Sequence, residues 1–199
     1  MQRLIKRTCA IAAEDIGKER ARHIAEKAQR RYRELRHENA SDSKALRAHC
    51  FKRIYPAIAV YETLREDGLD REKAARYIRE YFQRLAASFA PHLKRMIRVF
   101  GLAKKIPGIF MKAVLKGFGP EASFRYEFPE AGKHEARANV VRCPYYEICK
   151  RYGCPEITRA FCDGDDAGYG DLHPQLVWGR TKTIGRGGDC CDFSLKYTE

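Results

Sequence analysis

Ser123-Phe124-Arg125-Tyr126-Glu127-Phe128 alternates a polar residue with an aromatic one. That is the period of a strand with one buried and one solvated face. Upstream of Gly119-Pro120 the apolar residues recur every three to four positions instead, the period of an amphipathic helix. The chain therefore changes from helix to sheet near residue 119.

Working upstream, residues 10–37 carry Ile11, Ile16, Ile24, Ala28 and Leu35 between charged residues, with a single glycine and no proline, and read as one helix. Ser41-Asp42-Ser43 offers caps for a second helix bearing Leu46, Cys50, Ile54, Ile58 and Tyr61, which Gly68 ends. Asp70 caps a third, over residues 71–90, where Pro91 either kinks it or opens a fourth. Glycines and prolines between 101 and 120 break the following stretch into short pieces.

Downstream, residues 135–141 form a second strand, spaced for a hairpin with the first. Two short helices fit between Cys143 and Ala160, divided at Gly153-Cys154-Pro155. Residues 175–184 and 190–197 read as two further strands joined by the glycine-rich turn 185–189. The expected fold is α+β, a helical N-terminal region followed by an antiparallel sheet of at least four strands with a short helical insertion. Its two regions, 1–118 and 119–199, are expected to pack as one compact unit. They differ in charge: the first holds 28 lysines and arginines against 13 acidic residues, the second 11 against 13.

A hydrophobic content of 44%, a charged content of 33% and a mean hydropathy of −0.57 place the chain among soluble globular proteins. Glu14 and Asp15 interrupt any secretory pattern at the start, and no apolar run approaches the ~18 residues of a spanning helix. A cytoplasmic location is expected. In a reducing compartment the eight cysteines are thiols, metal ligands or catalytic groups. Cys9 and Cys50, alone in helical patterns, are expected in the core.

Six cysteines stand within 49 residues, from Cys143 to Cys191, with Asp163, Asp165, Asp166 and His173 among them. Gaps of five, four and seven residues between Cys143, Cys149, Cys154 and Cys162 match neither the zinc knuckle nor the ferredoxin spacings. A sensor module without catalysis remains the alternative, binding zinc or an iron–sulfur cluster through ligands that converge from separate elements, or binding a small ligand. The segment Phe161-Cys162-Asp163-Gly164-Asp165-Asp166 reads as an acidic loop at the sheet edge. It places a thiol beside carboxylates that raise one another's pKa and so supply a proton donor. Its composition resembles a calcium loop, but the twelfth-position glutamate is missing. Arg180 offers a planar fork for a carboxylate, and the turn that follows lets a ligand approach the backbone, without the lysine of a phosphate-binding loop.

Phe161-Cys162 followed by the aspartate cluster, Arg180-Thr181-x-Thr183, and Gly188-x-Cys190-Cys191-Asp192-Phe193 together resemble the L-2-amino-thiazoline-4-carboxylic acid hydrolase family. The resemblance implies hydrolysis of a C–N or C–S bond in a small cyclic amidine. It implies a catalytic set drawn from Cys162, Asp165, Asp166, Cys191 and Asp192, with Arg180, Thr181, Thr183 and His173 binding substrate. Either Cys162 attacks, or Asp166 activates water. No cofactor or metal is assigned. A small molecule is the expected partner and nucleic acid is not, since no reading motif is present. The basic amphipathic stretch 95–116 could contact an anionic membrane. No heptad seam is long enough for a coiled coil.

Overall fold

Glycine at position 17 ends one helix and starts the next. The computed structural model describes residues 1–199. Helix α1 (Arg3–Ile16) stops where Gly17 turns to φ 85°, and α2 (Lys18–Glu38) begins one residue later, so the single helix expected over 10–37 is two. Only glycine takes that backbone conformation without cost. The other two expected caps are in place: Ser43 Oγ accepts the Leu46 N–H at 3.1 Å and Asp70 Oδ1 accepts the Lys73 N–H at 2.7 Å. They open α3 (Lys44–His49), which passes through a wide turn at Cys50–Ile54 into α4 (Tyr55–Glu66), and α5 (Arg71–Val99).

Helix α5 runs through Pro91 without ending. Its later turns bury Ile97 in a core and pack Leu93 against it, and burial of an apolar face stabilises a helix beyond its local propensities. Three further helices follow: α6 (Ile106–Gly117), α7 (Pro144–Arg151) and α8 (Thr158–Tyr169). No helix is long and apolar enough to cross a membrane.

The strands are β1 (Arg125–Glu127), β2 (Glu135–Arg142), β3 (Leu176–Gly179) and β4 (Cys191–Tyr197), in the order β1-β2-β4-β3 and antiparallel throughout. The fold is α+β, with the helical insertion between β2 and β3 split at Gly153-Cys154-Pro155. Strand β3 is shorter than the run read from sequence. Beyond Gly179, the N–H groups of Thr181 and Lys182 both donate to Asp192 Oδ1, at 2.9 and 2.7 Å, in place of a backbone ladder.

Contacts along the chain define two units, Met1–Phe82 with Tyr145–Phe161, and Gln83–Pro144 with Cys162–Glu199. In the first, α1, α2 and α4 pack on one another around Leu4, Ile5, Ile24, Ile54, Ile58 and Leu64, all essentially inaccessible. Cys9 and Cys50 are buried there, as expected. In the second, one face of the sheet carries Ala136, Ala138, Val140, Cys191, Phe193 and Leu195, which strand pairing puts side by side. Helix α6 covers that face with Ile106, Phe110 and Met111, and Ile97 and Leu172 complete the core. The opposite face shows Arg137, Asn139, Ser194 and Lys196, none of them buried.

Helix α8 corrects the sequence reading most directly. The stretch 161–166, expected to be a loop, is helical throughout. Asp and Gly are poor helix formers, but side chains from β3 and the segment after it hold these aspartates in place, as described next. The helix ends where Gly170 donates its N–H to Asp166 O at 2.9 Å, an approach that a Cβ at Gly170 would block.

Candidate functional site

Residues three and four apart on a helix share a face, so the helical form of 161–166 brings Cys162, Asp165 and Asp166 to one side of α8. Arg180 meets that side from the inward-facing series Leu176, Trp178, Arg180 at the end of β3. Its Nη2 donates to Cys162 O at 2.6 Å and pairs with Asp166 Oδ2 at 2.6 Å, while Nη1 lies 3.6 Å from Asp165 Oδ2. The Trp178 Nε1–H donates to Asp166 Oδ1 at 3.0 Å, so both oxygens of Asp166 are engaged. Arg186, on the 3-10 turn Ile184–Arg186, pairs with Asp163 at 2.6 Å and reaches Asp166 at 3.7 Å. Three carboxylates thus meet two guanidiniums.

The exposures of these groups differ and assign them different work. The Arg180 side chain is 7% exposed and ties α8 to the segment after β3. The Asp165 side chain is 57% exposed. Burial pushes the Cys162 thiol up to about 12; the neighbouring Cys191, Cys143 and Asp165 add to that rise and Arg180 opposes it. Cys162 is therefore a neutral thiol near pH 7. Burial also raises Cys191, against the Ile184 N–H that donates to its sulfur at 3.2 Å and the nearby Arg180.

Asp192 belongs to a different face. Strand alternation turns it opposite to Cys191, and there it accepts from the Thr181 hydroxyl at 2.5 Å as well as from the two backbone N–H groups. Burial disfavours its ionisation, but these hydrogen bonds outweigh burial and hold its carboxyl below the usual carboxylate range. Asp192 and Thr181 fix the path of the segment after β3. Thr183 is buried beneath the glycine-rich turn, its carbonyl accepting the Gly188 N–H at 2.9 Å and its hydroxyl without a hydrogen-bond partner.

His173 precedes β3, where its ring accepts the Gln175 N–H at 3.2 Å. The four residues of β3 separate it from Arg180, at ~3.3 Å each. The six clustered cysteines are not one site either. Cys149 and Cys154 are fully buried in the helical unit, where the Cys154 thiol donates to Cys149 O at 3.4 Å. No three side chains among His, Cys, Asp and Glu are arranged to hold a metal ion.

Two members of the cluster were not singled out from sequence. Tyr126 on β1 is near enough to Cys143 and Cys191 for both to raise its hydroxyl pKa, behind burial as the main cause. Its inward position in the 123–128 alternation was the available signal. Arg186 looked like part of a turn; its pairing with Asp163, 23 residues away, has no local signature.

A family model for L-2-amino-thiazoline-4-carboxylic acid hydrolase matches residues 47–195. The chain belongs to that family. No curated protein and no solved structure matches it. The span shared with the thiazoline-carboxylate hydrolase family contains every residue of the cluster on α8, β3 and β4, and leaves out α1 and α2.

Proposed function

We infer that this chain hydrolyses a small cyclic amidine, opening the ring at the C–S or C–N bond, with 2-amino-thiazoline-4-carboxylate as the reference substrate. The observation that carries the reading is the common face of Cys162, Asp165 and Asp166 on α8, set against Arg180 and Cys191. Family membership supports the substrate class.

A protonated cyclic amidine presents the same planar N–C–N edge as a guanidinium, and a carboxylate accepts from both of its N–H groups. Asp165 is exposed enough to do so. Pairing keeps the ring protonated and its amidine carbon electrophilic. Water adds to that carbon and releases one proton to solvent, the ring C–S bond breaks, and sulfur leaves with the electron pair and takes the remaining proton of the added hydroxyl. The product carries a carbamoyl group on nitrogen and a free thiol. Because Cys162 is a neutral thiol, we assign the attack to water and place Cys162 in the pocket wall with Cys191. Arg186, 48% exposed, is assigned to the substrate carboxylate, since Arg180 is buried and engaged.

Release of the product thiol is measurable with a chromogenic disulfide. The reading expects thiol release by the wild-type protein, a loss of roughly 100-fold in kcat/KM for Asp165→Asn, and a change within about tenfold for Cys162→Ser. Absence of turnover on any cyclic amidine sinks the reading. Complete loss in Cys162→Ser transfers the attack to the thiol and makes the intermediate covalent.

A further inference from the structure

Between Glu80 and Glu121 the chain has no acidic residue, yet it carries eight lysines and arginines in those forty positions. This stretch supplies the second half of α5, the turn after it, and α6. The inward faces of both helices are occupied by the core, through Leu93, Ile97, Ile106, Phe110 and Met111. The outward surface is apolar as well. Met96, Val99 and Phe100 are 53%, 66% and 65% exposed at the end of α5, and Ile109 is 50% and Leu115 44% exposed on α6.

The charges around these side chains are uncompensated for the most part. Lys94 pairs with Asp171 and Lys104 with Glu199. Arg95, Arg98, Lys105, Lys112 and Lys116 make no ion pair. Lys105, Ile109, Lys112 and Lys116 stand four, three and four residues apart, so α6 shows solvent a lysine ridge with aliphatic side chains along it. A solvent-facing helix gains nothing from exposed Phe, Val and Ile; exposed apolar side chains set among charges of one sign mark an interaction site.

We propose that the outward surface of the α5 end and α6 binds an anionic lipid bilayer. Its exposed apolar residues enter the headgroup region while the lysine and arginine heads reach the lipid phosphates. The chemistry selects this occupant over others. A second copy of the chain would bring five unpaired cations against five, which repel. Single-stranded nucleic acid is held by stacked aromatics, and Phe100 is the one aromatic in the set. The long stems of lysine and arginine let apolar neighbours sink while the charge stays at the interface. Helix α6, ~18 Å long, lies along the surface rather than through it. This inference stands apart from the hydrolase reading and does not depend on it.

Sedimentation with lipid vesicles tests it, using the full chain. Vesicles of phosphatidylcholine alone should leave the protein in solution; vesicles containing about one third phosphatidylglycerol should pellet it at low salt and release it at high salt. K105Q/K112Q/K116Q should weaken binding roughly 100-fold, and F100S/I109S roughly tenfold. All five side chains are exposed, so unchanged circular dichroism melts are expected for both variants. The proposal is overturned if the wild-type protein fails to pellet with anionic vesicles, or if the lysine variant binds as well as wild type. It is also overturned if the F100S/I109S variant binds undiminished, which marks plain polyanion attraction, or if duplex DNA at matched phosphate competes the protein off the vesicles.

Discussion

In the helical unit, Cys9 on α1 is 3% exposed, and burial pushes its thiol up to about 12. In the sheet unit, Cys162 on α8 reaches the same value, but with Arg180, Asp165, Cys191 and Cys143 as electrostatic neighbours. Two thiols of equal acidity therefore occupy different chemical settings. Acidity reports how much water has been removed; the charges around the thiol decide whether anything can be done there. One cysteine fills space and the other lines a polar cluster.

The largest expected effect lies at the residue that makes the second setting. Arg180→Ala removes a buried guanidinium from Asp166 and from the α8 carbonyl, and should cost about 3 kcal/mol in urea unfolding. The corresponding change in the first setting, Cys9→Ala, should cost about 1 kcal/mol. If the two losses are equal, Arg180 does not organise the cluster. Next in size is catalysis: the roughly 100-fold loss expected for Asp165→Asn should have no parallel in Cys9→Ala, whose kcat/KM should stay within about twofold of wild type.

The pH dependence sharpens the comparison further. A thiol pKa raised in the folded state contributes stability that is complete below the unfolded value, about 8.5, and declines as pH rises toward 12. Cys9→Ala and Cys162→Ala should each flatten the alkaline loss by a similar amount. Flattening by Cys9→Ala alone shows that Arg180 draws the Cys162 thiolate out. The smallest effect is at the acid end. Asp192 has a depressed pKa, so its contribution is present above about pH 3.9 and lost as pH falls through the folded value. Asp192→Asn should remove that part of the acid limb and leave stability near pH 9 changed by about 1 kcal/mol or less.

The helical caps and the strand alternation were legible because each is local. Ser43, Asp70 and the 123–128 alternation all act within a few residues of themselves. Helix α8 was illegible for the opposite reason. Its acidic middle, Asp163-Gly164-Asp165-Asp166, opposes helix formation locally, and the partners that overrule it, Trp178, Arg180 and Arg186, follow 12 to 23 residues later. The same distance hid the division of the candidate site. From sequence, Cys191 and Asp192 look like one feature; strand alternation sends one to the Cys162 side and the other to the Thr181 loop. The split of the six cysteines followed no local signal, since Cys154 and Cys162 are eight positions apart in sequence.

Each of the two units is assembled from two separate stretches of chain, and the stretches alternate. During synthesis the first 82 residues emerge without Tyr145–Phe161, the piece that finishes their unit, and the first half of the sheet unit is made before that piece arrives. Neither unit can be completed until residue 161 has left the ribosome, so the usual order of one domain folding before the next is made is closed to this chain. For the same reason no single truncation of the gene isolates either unit: residues 1–161 carry half of the sheet unit along, and residues 83–199 carry the piece that finishes the helical one.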